Sequence, residues 1–153
     1  MIKPEDLKIG DLVMVCNGCM FLKGTICAVT EIHPDKQFGY KKGVVSLSAI
    51  NDNDDGPWGT WCCNIDGIPV TPEILNKNGF EEEVIGEYYT KSLDNEEDYL
   101  ARDLIVLLNS GSWNVFIMHC SLQGDVLLRK IQYVHELQHI LWVLGLDVEL
   151  KIK

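Results

Sequence analysis

Leu104-Ile105-Val106-Leu107-Leu108-Asn109-Ser110-Gly111-Ser112-Trp113-Asn114-Val115-Phe116-Ile117-Met118 decides the fold. Two apolar runs rich in β-branched and aromatic residues flank a polar, glycine-containing break, the signature of an antiparallel hairpin. Tyr88-Tyr89-Thr90 upstream and Val126 to Ile131 downstream are strand-like too, with the acidic loop Asp94-Asn95-Glu96-Glu97-Asp98 between the first of these and the hairpin. The hairpin is therefore the centre of an antiparallel sheet.

Helical signals bracket that sheet. From about Tyr133 to Leu144, Val134, Leu137, Leu141 and Leu144 recur at helical spacing, and Gly145 suits a C-terminal cap. On the upstream side, Thr71-Pro72-Glu73 combines an N-cap, a first-turn proline and an acid that favours the helix dipole. Gly79 is placed to close this helix after about two turns, and Phe80 to fold back into the core. Residues 68–153 thus read as a helix–antiparallel sheet–helix unit, and the whole chain as α+β.

The N-terminal third reads as β. Leu12 to Val15 is a first strand, and Thr25 to Ile32 alternates between two faces until His33-Pro34-Asp35 breaks it. Val44 to Leu47 follows a turn region at residues 39–43. Short strands at this spacing predict a small bent β-sheet or SH3-like barrel over residues 1–50, packing alone or with the rest as one domain. Residues 51–67 read as an acidic loop or linker. Its opening, Asn51 to Thr60, resembles a calcium loop only at first: with Gly56 at the invariant glycine, Asn51, Asn53 and Asp55 fall at ligand positions. The bidentate glutamate of such a loop is Cys62 here, so no calcium is expected.

Charge is unevenly distributed. The chain of 153 residues carries a net charge of −10. Residues 51–100 hold two Lys and thirteen Asp/Glu, a balance of −11, whereas the two flanking thirds are nearly neutral. No basic cluster stands out, so direct nucleic-acid binding through phosphates is not expected. Residues 51–100 read first as a solvated acidic surface, and more sharply as a docking face for a basic protein partner or a mimic of nucleic acid. The first residues lack the apolar core of a secretory signal, and no apolar run approaches the ~20 residues of a membrane span, which predicts a cytoplasmic protein. In that compartment the six cysteines are expected as thiols. Cys16-Asn17-Gly18-Cys19 places two of them around a hairpin-type Asn-Gly turn, and Cys62-Cys63 makes a poor second half for a zinc knuckle. No cofactor is expected.

One motif carries chemistry. Residues 135–139, His-Glu-Leu-Gln-His, match the H-E-x-x-H pattern. His135 and His139 share a helix face one turn apart and can hold a zinc, and Glu136 can act as general base on its bound water. A third protein ligand is required; Asp147 and Glu149 lie downstream, and His119 and His33 upstream. The bland alternative is a helix whose two histidines face solvent beside Trp142, opposite the apolar stripe. Three fixed positions match often by chance, and the bland reading leads.

The segments Leu7-Lys8-Ile9-Gly10-Asp11-Leu12-Val13, Ile68-Pro69-Val70-Thr71-Pro72-Glu73-Ile74-Leu75 with Asn78-Gly79-Phe80, and Tyr133-Val134-His135-Glu136-Leu137-Gln138 leading to residues 145–150 resemble a family. Its members are small uncharacterised proteins of Bacteroides-type bacteria and their phages and mobile elements. The resemblance spans nearly the whole chain through short motifs. In the family's helix Glu136 and His139 replace a Gln and an Asn, which implies a structural role for the motif. It implies a genomic context and no activity. The expected function is a non-enzymatic accessory protein that binds a macromolecular partner. The alternatives are a zinc-dependent hydrolase using His135, Glu136 and His139, and a counter-defence protein sequestering a small ligand such as a nucleotide signal, for which Arg102, Arg129 and Lys130 are the cationic candidates.

Overall fold

The computed structural model describes residues 2–17, 20–50, 57–93, 102–119, 125–146 and 149–152. Two units emerge, Met1–Ile68 with Tyr133–His135, and Pro69–Gln132 with Glu136–Lys153. Each contains a five-stranded antiparallel sheet, and two α-helices complete an α+β protein. None of the described helices is long and apolar enough to cross a membrane.

In the first unit, β1 (Leu12–Val15), β2 (Ile26–Phe38), β3 (Lys41–Ala49), β4 (Trp58–Trp61) and β5 (Ile65–Gly67) stand in the order β4-β3-β2-β1-β5. This order has two ends, so the described strands form an open sheet, and barrel closure is not among their pairings. Ile2, Leu7, Val13, Val15, Phe21, Cys27, Val29, Val45, Leu47, Cys62 and Ile65 form its core. Alternation along β1 and β2 turns these side chains to one face, as the sequence pattern requires.

Two expectations need correction here. His33-Pro34-Asp35 does not end β2, which continues to Phe38 and pairs Gln37↔Lys42 and Phe38↔Lys41. The ladder breaks register between His33 and Gln37, which accommodates a proline that has no N–H to donate. Residues 51–67 are not all linker. β4 pairs Val44↔Trp61 through Leu47↔Trp58, and β5 pairs Val15↔Ile65 with β1. Aromatic and β-branched side chains outweigh the glycines there. The calcium-type positions Asn51, Asn53 and Asp55, the Asn17-Gly18 turn and the acidic loop 94–98 lie wholly or partly outside the described residues.

Gly67 closes the first unit. A Cβ built there would overlap the ring and the Cβ of Tyr133, so only glycine lets Tyr133 pack onto β5. Next to it, Val134 N donates to Ile68 O at 2.8 Å.

In the second unit, α1 (Pro72–Lys77) begins as its sequence predicts: Thr71 Oγ1 accepts from Ile74 N at 3.3 Å. Gly79 ends it with φ +75°. Phe80 is buried, and Lys91 Nζ lies 5.5 Å from its ring centroid while donating to Asn78 O at 2.7 Å. The side-chain amide of Asn78 donates to Lys151 O at 2.9 Å and accepts from Lys151 N at 2.7 Å, a two-point clamp on the segment carrying buried Leu150.

The sheet of this unit runs β10-β9-β8-β7-β6, from β6 (Glu81–Val84), β7 (Tyr88–Ser92), β8 (Arg102–Asn109), β9 (Ser112–His119) and β10 (Val126–Ile131). The central hairpin is the one the sequence predicts. It turns on Ser110 and Gly111, both at positive φ, between the paired Asn109 and Ser112, as a two-residue turn of the primed kind requires. The final helix, α2, spans Val134–Val143.

Gly67→Ala should destabilise the protein by ~1–3 kcal/mol through overpacking against Tyr133. Pairing it with Tyr133→Gly, which removes both the ring and the Cβ, should make the alanine at 67 nearly neutral in that background. Chemical denaturation of the two single variants and the double variant checks this.

Candidate functional site

The helix motif lands on α2. Leu137 and Leu141 are fully buried while Trp142 and Val143 are exposed, so the apolar stripe is where periodicity puts it. His135 departs from the expected solvent-facing position. It is only 3% exposed and stacks on Tyr133, with ring centroids 5.7 Å apart and planes within 11°. The cause is local: His135 lies in the first turn, where the entering chain supplies a ring that covers it. His139, one turn on, is half-buried.

Glu136 is engaged by the backbone that leads into the helix. Its Oε2 accepts from Gln132 N at 2.7 Å and its Oε1 from Arg129 Nη2 at 3.3 Å. As the third residue of the helix reaching back to a main-chain N–H before it, Glu136 behaves like the acidic half of a capping box. Among the described residues, no three His, Cys, Asp or Glu side chains converge as a metal set. Of the third-ligand candidates, His33 lies on β2 with Nε2 3.4 Å from Glu31 Oε2, and Glu149 is exposed. Asp147 and the His119 side chain fall outside the description. Of the cationic candidates, Arg102 opens β8, and Arg129 and Lys130 lie on β10.

Among the described residues, Cys16, Cys27, Cys62 and Cys63 are thiols, not disulfides. Cys62 is 2% exposed, and burial, then the neighbouring Cys63 and Glu5, push its thiol up to about 11, away from the reactive thiolate. Cys16 donates weakly to Cys63 O at 3.9 Å, and Cys63 to Asn64 Oδ1 at 3.7 Å.

A feature that the sequence reading passed over is β6. Its Glu81, Glu82, Glu83 and Val84 are all exposed, and it forms one edge of the second sheet. Two of the carboxylates are fixed in place. Glu82 Oε1 accepts from Tyr89 OH at 2.5 Å and Gly86 N at 2.6 Å, and Glu83 Oε1 accepts from Thr90 Oγ1 at 3.1 Å. The Tyr89 bond, then the Gly86 bond, hold the Glu82 carboxyl below its usual range. Negative charge accumulates on this part of the sheet: after burial, the carboxylates of Asp125, Glu83 and Asp103 raise the Tyr88 hydroxyl. The available signal was the register partner. Tyr-Tyr-Thr at 88–90 is a strand that needs a neighbour, and the Glu run is the nearest segment across a short turn.

Tyr89 itself is fully buried, and burial, then Glu82, push its hydroxyl up to about 12 from 10.0. Folding therefore favours the neutral phenol. Its contribution to stability is complete below pH 10 and is lost as pH rises from 10 to about 12. Tyr89→Phe should flatten the pH dependence of Tm in that window, read by circular dichroism.

Glu136→Ala should cost ~1 kcal/mol through loss of the cap. His139→Asn should leave Tm unchanged, and protein purified without an affinity tag should carry substoichiometric metal. One tightly held zinc per chain, lost in the His139 variant, would instead mark a metal centre. Comparison with known proteins gives no match to this chain among family models, curated proteins or solved structures.

Proposed function

We propose that this chain is a non-enzymatic accessory protein of a phage or mobile element that binds a basic protein partner along the outer edge of β6. The mobile-element context rests on the family resemblance. The binding reading rests on one observation: an edge strand whose four residues are all exposed, three of them glutamates. Among the described residues no further strand pairs with β6 beyond β7. An edge strand offers main-chain donors and acceptors to an extended segment of another protein. The glutamates then choose which segment: carboxylates on a strand edge repel acidic chains and draw in Lys- and Arg-rich ones.

Magnitudes support this division of labour. An exposed ion pair contributes ~0–1 kcal/mol, so the charges alone do not hold a partner. They accelerate encounter and exclude wrong partners, while main-chain pairing supplies the persistence. Glu82 and Glu83 are already fixed by Tyr89, Gly86 and Thr90, so less side-chain freedom is lost on binding.

A synthetic peptide alternating lysine and valine serves as probe. Titrated into labelled protein, it should shift the amide resonances of residues 81–84 and their β7 partners, and its affinity should fall several-fold as salt rises toward ~0.15 M. Glu81→Lys with Glu83→Lys should abolish the shifts without changing Tm. Shifts confined to other strands, or an affinity indifferent to salt, would refute the assignment of this edge.

A further inference from the structure

The first unit carries a surface of opposite chemistry. Beyond the register break, the β2–β3 hairpin reaches away from the core: Pro34 through Tyr40 and Lys42 are exposed, and Lys41 is half-buried. Its turn is two residues, Gly39-Tyr40, closed by the pair Phe38↔Lys41, with Gly39 at φ +58° as the first central position demands. The Gln37 side-chain amide donates to Gly39 O at 3.3 Å and stiffens it.

The composition of this tip is unlike the rest of the chain. Phe38 is 74% exposed and Tyr40 88% exposed, one on each side of the same glycine. Lys36, Lys41 and Lys42 stand with them against the single carboxylate of Asp35. Residues two apart on a strand share a face, and so do directly paired residues. Phe38 and Lys41, a direct pair, therefore share one face of the hairpin, an aromatic ring beside an ammonium group, and Lys42 pairs with Gln37 next to them. Scattered exposed aromatics are normal on protein surfaces. Two at one hairpin apex, interleaved with three lysines in a protein of net charge −10, are not scattered.

We propose that this hairpin tip binds single-stranded nucleic acid, with Phe38 and Tyr40 as stacking platforms for bases and Lys36, Lys41 and Lys42 as phosphate contacts. Single strands fit because their bases are unstacked and each presents a π-face, while the lysines follow the backbone. The other polyanion with apolar surface, an anionic bilayer, fits less well. Tyr40 is followed directly by Lys41, which also faces Phe38, so the apex has no uninterrupted apolar end to enter hydrocarbon. The expectation that excluded phosphate contacts rested on the absence of a basic cluster along the sequence, whereas the hairpin gathers Lys36, Lys41 and Lys42 at one exposed apex. The inference is independent of the β6 reading, since it concerns other residues in the other unit.

Fluorescence anisotropy of labelled oligothymidylate and oligouridylate, each about 20 nucleotides long, tests it on the full chain, since one aromatic-lined site covers only ~4–16 nucleotides. Either oligonucleotide should bind, and log K should fall against log salt with a slope of about −2, the value for three phosphate contacts on a single strand. Phe38→Ala and Tyr40→Ala should each weaken binding about tenfold, with Tm unchanged because both rings are exposed. Lys36→Glu with Lys41→Glu and Lys42→Glu should abolish it, whereas Glu81→Lys with Glu83→Lys should retain it. The proposal fails if the tip variants bind as well as the parent, if a duplex of equal length binds more tightly, or if neither oligonucleotide binds. It fails equally if phosphatidylserine vesicles bind through the tip and the oligonucleotides do not compete.

Discussion

A buried indole N–H donated to a main-chain carbonyl organises the second unit. Trp113 Nε1 on β9 reaches Val70 O at 3.0 Å, in the segment that leads into α1. A buried indole donor without an acceptor carries a penalty of a few kcal/mol, so this bond fixes where the lead-in to the helix runs. The same ring meets Tyr89 edge-on, centroids 5.8 Å apart, and the Tyr89 hydroxyl extends the chain of contacts to Glu82. Two hydrogen bonds, Trp113 to Val70 and Tyr89 to Glu82, are thus joined by a ring contact from the helix lead-in to the acidic edge. The position of Glu82 is therefore set from the interior of the sheet, through the buried Tyr89.

The net charge of −10 conceals two local surfaces of opposite sign. The β6 edge concentrates carboxylates in one unit, and the β2–β3 tip concentrates ammonium groups and rings in the other. Averaging over thirds of the sequence finds the first and loses the second, because the lysines of residues 1–50 are nearly balanced by Glu5, Asp6, Asp11, Glu31 and Asp35. Strand pairing undoes that averaging by bringing Lys41 opposite Phe38 at an exposed apex.

Local chemistry was the legible part of the sequence. The 104–118 hairpin, the Thr71 cap, the Gly79 stop and the apolar stripe of α2 each follow from signals within a few residues. Features set by non-local partners were not legible. β2 runs past Pro34 because β3 offers it a partner across a register break, and β4 and β5 are strands because β3 and β1 have edges to fill. β6 is a strand of glutamates, which intrinsic preference disfavours and pairing with Tyr88-Tyr89-Thr90 imposes. The candidate motif was legible as letters only. Burial of His135 under Tyr133 and the reach of Glu136 to Gln132 depend on the path of the entering chain, and helical periodicity carries no information about that path.

The space left by Gly67 and filled by Tyr133 also sets an order in time. A ribosome delivers residues 2–68 well before residues 133–135, at roughly 5–20 residues per second. For several seconds the nascent first sheet has its strands but not the ring that packs against β5. All five strands of the second sheet are synthesised during that interval. The first unit therefore waits on a segment that follows every strand of the second sheet, and a fragment stopped at Ile68 would lack the ring that packs on β5.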